Sequence, residues 1–482
     1  MNRLLQLFIT ILILVVTDTS LRAQPNSLYF MKGLPQTKEI NPAISGLKSG
    51  FYFSLPLASA LDVSINTNDW RISDLVHQGS GLQRDSMIWD FKNLVNSFDK
   101  KNFVFESAGL TLIDFGWRSR GRFYSFSISE HEIVEPFFTR DLAELVYYGN
   151  NPLIGSTFDS GDFGLTAMHY RQFAFNTSRE VSKWLTFGIT GKLLFGMSGI
   201  RTDGLNLGLE MPASGEQLNI TARGNIMGSV PVEFKQNPTN AYDITGKSTF
   251  LAGKYLLNLN NPGLAVDLGI SMKISKRAEL SASLIDLGFI AWRNNLTKFT
   301  GQGMFSFSGI NLNGSQTTPP TGETVGPLVH SLRDSLIKAF PLSLNPSKFS
   351  TIIPVKLYIA GEYKLTNSLC IGALARLRMF DSIIRSSGTL SFNAAVRKTL
   401  SVSATYSLYE NTNDNLGVGI LFKAGMLQIY GATDNLISAF YPVSARNLNL
   451  RLGVNLIFEE LDKITRKNSQ WMLPFKIRHR RG

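Results

Sequence analysis

The chain has 482 residues, 44% of them hydrophobic, with one cysteine and a formal net charge of +12. Only 17% are Asp, Glu, Lys or Arg, below the roughly one quarter usual in soluble domains. The lone Cys370 excludes an intrachain disulfide framework. Without a Lys/Arg cluster on a helix or an aromatic-basic motif, the positive balance does not point to nucleic acid as a partner.

In chain order, residues 1–23 read as a signal peptide: basic Met1-Asn2-Arg3, an apolar stretch from Leu4 to Val16, and Leu21-Arg22-Ala23 before the expected cleavage. That apolar run falls short of the about 20 residues a transmembrane helix needs. Residues 24–49 are an irregular opening segment with Gly33-Leu34-Pro35 and Asn41-Pro42-Ala43, and Asn-Pro favours a turn.

From residue 50 onward the dominant signal is two-residue alternation. Leu264, Val266, Leu268, Ile270, Met272 and Ile274 alternate with Ala265, Asp267, Gly269, Ser271 and Lys273. Leu400, Val402, Ala404, Tyr406 and Leu408 alternate with serines and a threonine. Leu448, Leu450, Leu452, Val454, Leu456 and Phe458 alternate mainly with Asn, Arg and Gly. A strand points successive side chains to opposite faces, so each segment has one oily and one polar face. At about 9–13 residues these segments match strands tilted across a bilayer rather than the shorter strands of soluble sheets.

The pattern predicts an all-β protein, a transmembrane antiparallel β-barrel of about 14 strands over 50–458. The strands are expected near 50–65, 105–118, 121–131, 162–178, 185–200, 263–275, 278–292, 354–364, 369–379, 387–397, 400–409, 414–422, 425–433 and 446–458. Pro56 interrupts the first. Short turns at 118–121, 275–277, 397–399 and 423–425 are expected on the periplasmic side. Long loops at 66–104, 132–161, 201–262 and 293–353 are expected outside.

Parts of those loops carry helical spacing: Met87, Phe91, Leu94, Val95 and Phe98; Leu142, Leu145 and Val146 after a boundary at Pro136; and Val325, Leu328, Leu332, Leu336 and Ala339. Loops packing on one another account for these faces; the alternative is an entry groove for an oily ligand. The tail, 459–482, is basic and expected in the periplasm. It carries Lys463, Arg466, Lys467, Lys476, Arg478, Arg480 and Arg481 against Glu459, Glu460 and Asp462.

No catalytic or metal constellation stands out. His77, His131, His169, His330 and His479 are not at metal-ligand spacing, and no phosphate-binding loop occurs. Ser127, Ser129 and His131 share one strand face, read as lumen polarity rather than a hydrolase site. No enzyme activity, cofactor or metal is expected.

Several motifs resemble a family of uncharacterised outer-membrane proteins of Bacteroidota. They are Phe30-Met31-Lys32-Gly33-Leu34-Pro35-Gln36, Asn41-Pro42-Ala43, Asp286-Leu287-Gly288-Phe289-Ile290 with Trp292, Leu357-Tyr358-Ile359-Ala360-Gly361, Asp434-Asn435-Leu436 and the segment 447–456. That family is similar, more distantly, to long-chain fatty-acid transporters and to barrel subunits of the gliding-linked secretion system. The resemblance to the transporters implies an N-terminal hatch over 24–49, with Gly33, Leu34, Pro35, Asn41, Pro42 and Ala43 as its candidate residues. The expected function is a hatch-gated passive channel in the cell outer membrane for a hydrophobic or amphipathic small molecule, with outer-membrane lipid around it. The alternative is a non-transporting barrel that scaffolds secretion or surface-protein machinery through a periplasmic or secretion partner.

Overall fold

A computed structural model describes residues 26–458 apart from 57–58, 69, 80–85, 149–153, 162, 213, 215–216, 238–239, 308–341, 381–382, 397–398, 410–411 and 441–445. The expected leader 1–23, the apolar stretch 325–339 and the tail 459–482 lie outside the described residues.

Fourteen antiparallel strands close into a barrel. They are β1 (Gly50–Ser54 and Leu61–Thr67), β2 (Lys101–Ser119), β3 (Arg122–Thr139), β4 (Gly164–Ser182), β5 (Leu185–Met211), β6 (Pro262–Lys273) and β7 (Ala278–Trp292). They continue as β8 (Phe349–Ile352 and Val355–Lys364), β9 (Leu369–Phe380), β10 (Ile383–Val396), β11 (Leu400–Tyr409), β12 (Thr412–Ala424), β13 (Leu427–Thr433) and β14 (Asn447–Phe458). Each strand pairs with its sequence neighbours, and β1 closes the ring: Phe51 lies opposite Phe458 on one side and Trp117 on the other. Closure removes the two edges that an open sheet would leave unpaired in lipid. No described helix is long and apolar enough to cross a membrane.

The alternation sorts side chains between wall faces as its period requires. Leu264, Leu268, Phe289, Leu390, Leu450 and Leu452 are exposed on the outside, whereas Asp267, Ser271, Ser403, Asn449 and Asn455 are buried within. The β2–β3 turn places Arg120 and Gly121 at φ 50° and 74°, the left-handed pair that a two-residue hairpin turn uses.

The long loops depart from expectation in two respects. First, β5 runs on to Met211 and pairs with Leu218–Ser229, which pairs in turn with Leu296–Phe307. The expected loops 201–262 and 293–353 are therefore partly sheet, because bilayer thickness sets a minimum strand length and not a maximum. Second, Pro136 is not a boundary: it lies inside β3 opposite Leu165. The β2–β3 ladder passes from the Phe103–Phe137 pair to the Glu106–Val134 pair without using its missing N–H. The helical face at 91–98 packs as expected through Val95 and Phe98, which are buried, whereas Phe91 and Val146 are exposed. Phe98 meets Phe138 edge-on at 5.1 Å and Trp70 at 5.9 Å between ring centroids.

The lumen is filled in layers. Residues 26–47 lie at the short-turn end, against inward side chains from strands all around the ring. At the loop end an apolar collar gathers Phe103, Phe105, Leu194, Ile290, Trp292 and Phe380. A polar chamber lies between.

Candidate functional site

The inner layer is built on short 3-10 turns, Ser27–Phe30 and Pro35–Glu39. Its apolar side chains Leu28, Tyr29, Phe30, Met31, Leu34 and Ile40 pack against inward residues of the wall such as Tyr358, Leu374, Leu421 and Tyr430. Gly33, at φ 104°, turns the chain between the two, and its carbonyl accepts from Gln428 Nε2 at 3.0 Å. Leu34 is fully buried, its carbonyl accepts from Thr37 Oγ1 at 2.8 Å, and Pro35 opens the second turn.

Asn41, Pro42 and Ala43 meet the wall most closely. Asn41 Oδ1 accepts from the Ala43 N–H at 3.0 Å, an Asx turn, while its amide donates to Tyr29 Oη at 3.1 Å. The Ile40 carbonyl accepts from Ser283 Oγ at 2.6 Å. Opposite stand two glycines. A Cβ at Gly188 would lie 2.2 Å from the Pro42 carbonyl carbon, and one at Gly269 would lie 2.3 Å from Asn41 Oδ1. Only a wall without side chains at these two positions admits the turn.

Polar contacts fasten the rest of the segment around the ring. The Asn26 and Ser27 amides donate to Asp434 at 2.5 and 2.9 Å. Gln36 and Asn455 exchange reciprocal amide bonds of 2.8 and 2.9 Å. Lys38 Nζ donates to Asp114 Oδ1 at 2.7 Å and to Tyr52 Oη at 2.8 Å, with both members of the ion pair buried. Glu39 pairs with Arg451, and Lys32 bridges Glu279 and Glu362 at 2.9 and 3.0 Å. Burial alone would push the Glu39 carboxyl up. The Arg451 guanidinium, then the Lys38 ammonium, outweigh it and hold the group below its ordinary value.

Above this layer is a chamber of about 140 Å³, lined by Ser127, Ser129, His131, Gln172, Asn176 and Thr190 among others and floored by Lys38, Glu39 and Ile40. One wall carries a charge tetrad. Lys192 Nζ lies 2.8 Å from Asp267 Oδ2 and 2.5 Å from Asp286 Oδ1, and Lys356 Nζ lies 2.8 Å from Asp286 Oδ2. Asp286 sits at φ 63° beside a register shift between Val266 and Leu268, and its N–H donates to Asp267 Oδ1 at 2.7 Å. A bulge thus turns an aspartate from the wall into the chamber, at a backbone cost of about 1–3 kcal/mol that the two lysines offset. Asp286 opens one of the sequence motifs, and the bulge shows in the sequence only as a change of phase, from Leu280 and Leu284 outward to Leu287 and Phe289 outward.

Ser129 Oγ lies 2.8 Å from His131 Nε2, and the imidazole stacks on Tyr170 at 5.2 Å. Among the described residues no carboxylate hydrogen-bonds to His131. No group of three His, Cys, Asp or Glu among them could hold a metal.

The collar closes the chamber on the loop side. Trp292 is fully buried over Gly196 and Gly199, where added Cβ atoms would come within 2.4 and 2.5 Å of its ring, and its Nε1 donates to Thr351 Oγ1 at 2.9 Å. Arg378 and Arg385 cover Phe105 and Phe103 at 3.6 and 3.5 Å, and Arg385 pairs with Glu135 at 2.5 Å.

Residues 42–434 match a family of unknown function, DUF5723, and the chain belongs to it. No curated protein matches. Among solved structures it is similar to the Pseudomonas putida toluene transporter TodX, at 10% identity and a TM-score of 0.38 over 92% of this chain and 97% of that one. A Pseudomonas aeruginosa FadL homologue is similar at 10% identity and a TM-score of 0.37, over 91% and 99% of the two chains. The translocator domain of the autotransporter NalP from Neisseria meningitidis is similar at 6% identity and 0.29, over 86% and 91%.

Proposed function

We propose that this member of the DUF5723 family is an outer-membrane passive channel, gated by residues 26–47 acting as a hatch, that admits an amphipathic small molecule. The observation that carries the reading is the order of layers in the lumen: an apolar collar at the loop end, a polar chamber beneath it, and the segment 26–47 filling the other end. A molecule with an apolar part and a polar part meets matching surroundings in sequence along that path. A purely apolar solute fits less well, because the chamber carries Lys192, Asp267, Asp286 and Lys356. The contacts of the plug are side-chain hydrogen bonds, ion pairs and packing, none of them part of the strand ladder. The plug can therefore leave without breaking the barrel. No catalytic role is assigned to Ser129 and His131, since the imidazole is stacked and lacks an orienting carboxylate among the described residues.

The test is flux through proteoliposomes holding the full chain or a chain lacking residues 24–43. Uptake of a labelled short-chain alkyl glycoside should exceed that of empty liposomes and rise further without the plug. Absence of flux in both preparations would overturn the channel and favour the scaffold.

A further inference from the structure

The outer wall carries polar residues where lipid-facing apolar ones are expected. Glu130 on β3 and His169 and Arg171 on β4 point outward. Toward the loops, they follow the outward apolar residues Phe126 and Ile128 on β3 and Phe175 and Phe173 on β4. On β6 the outward apolar residues run from Met272 to Leu264 and stop at Pro262. Nine residues at about 3.3 Å each, tilted near 45°, rise roughly 20 Å, close to the height of a lipid-facing band. The ionic residues therefore mark its loop-side rim.

A strap, residues 249–261 with a short helix at Ala252–Leu256, covers this rim from outside. Tyr255 Oη lies 2.7 Å from His169 Nδ1 and 3.1 Å from Ser198 Oγ. Arg171 donates to the Leu256 carbonyl at 2.7 Å while its other edge pairs with Glu130. The Asn261 carbonyl accepts from the Gly196 N–H at 2.8 Å, and Asn261 Oδ1 accepts from the Arg293 and Asn294 N–H groups at 2.8 and 2.9 Å. The strap is thus pinned to the barrel by its polar side. Its other side presents Phe250, Leu251, Leu256, Leu257 and Leu259, each between 46% and 75% exposed. This apolar face continues the band formed below it by Leu193, Leu264 and Phe289. Five large exposed side chains in ten residues, pinned at the rim of a lipid-facing wall, suit immersion in acyl chains.

Beside the strap is a cleft of about 560 Å³. Its apolar lining is Met197, Leu251 and Leu257; its polar lining includes Lys254, Asn260, Asn294 and Asn295. Among the described residues, the Lys254 ammonium and the Asn260, Asn294 and Asn295 side-chain amides have no protein partner. Each amide can donate to and accept from a hydroxyl, and the ammonium supplies one positive charge.

We infer that this cleft binds the head group of a phosphorylated glycolipid in the loop-side leaflet. The amides meet sugar hydroxyls, Lys254 meets the phosphate, and the acyl chains lie along the strap leucines and the wall below. The site is on the outer surface, so it stands whether or not the lumen conducts.

The test uses the full chain purified in a neutral detergent and native mass spectrometry. Three probes are titrated: a synthetic monophosphorylated, acylated disaccharide lipid, the same lipid without phosphate, and phosphatidylglycerol. The expected order is the phosphorylated glycolipid at least tenfold tighter than either of the others, with that preference lost in a K254A/N260A double variant. Both residues are exposed, and heat-modifiable gel mobility checks that the variant barrel is intact. Equal binding of the three lipids, or a preference that survives the double substitution, would reduce the cleft to ordinary annular lipid and overturn the inference. Independently, a Leu257→Trp variant in liposomes should lose additional fluorescence to brominated acyl chains; no quenching beyond that of the unsubstituted protein would show that the strap stands clear of the membrane.

Discussion

Lys38→Met should unlatch the plug without unfolding the barrel. Lys38 Nζ and Asp114 Oδ1 form a 2.7 Å ion pair with 4% and 0% of the side chains exposed. Removing the lysine leaves a buried carboxylate with only neutral donors: Tyr52 Oη at 2.8 Å, Gln36 Nε2 at 3.2 Å and Ser54 Oγ at 3.5 Å. Breaking one partner of such a pair costs about 3–5 kcal/mol. At about 1.4 kcal/mol per tenfold, the docked-to-undocked ratio of the plug falls by roughly two to three and a half orders of magnitude. Asp114 belongs to β2 and Lys38 to the plug, so lifting the plug lets water reach Asp114 and relieves the cost. The barrel ladder is untouched. Single-channel recording in planar bilayers should show frequent openings in K38M against rare ones in the unsubstituted protein, with unchanged heat-modifiable migration. Removing both charges, in K38M/D114L, should return conductance most of the way to baseline, since a buried ion pair replaced by apolar groups is often neutral. If K38M conducts like the unsubstituted protein, or the double variant leaks as much as K38M, the pair does not latch the plug.

Three further outcomes follow from the same contacts. Deleting residues 24–43 should leave a barrel that inserts and resists SDS at room temperature yet admits a bulky antibiotic; unchanged permeability with normal insertion would count against a plug. Gly269→Val places two methyl groups where Asn41 Oδ1 stands 2.3 Å from even a Cβ. It should raise conductance about as much as the deletion, whereas Val at Gly191, which has open space around its Cβ, should change nothing. Acid should loosen the plug through Glu39. Because Arg451 and Lys38 overcome burial and depress this carboxyl, its contribution is complete above the ordinary value of 4.5 and is lost as pH falls through the lowered one. Conductance should therefore climb below that value in the unsubstituted protein, and the step should be smaller in Glu39→Gln, which is already unlatched at neutral pH.

The wall of this protein is written in its sequence because a strand repeats every two residues. Leu264 to Met272 or Leu448 to Phe458 can be read as one oily and one polar face without knowing any partner. Strand number and order follow from counting such segments, since each pairs with its neighbour in the chain. Continuous alternation also hides what interrupts it. The bulge that turns Asp286 inward shows only as a change of phase between Leu284 and Leu287, and the run of β5 on to Met211 has no boundary signal of its own. What fills the lumen depends on pairs far apart in the chain: Gln36 with Asn455, 419 positions away, and Lys38 with Asp114, 76 away. No local period encodes those contacts. Gly188 and Gly269 look like any lumen glycine until the ring closes and brings the Asn41–Ala43 turn against them. The strap is a similar case: Phe250, Leu251 and Leu257 read as loop residues, and only the curvature of the closed barrel sets them at the rim of its apolar band.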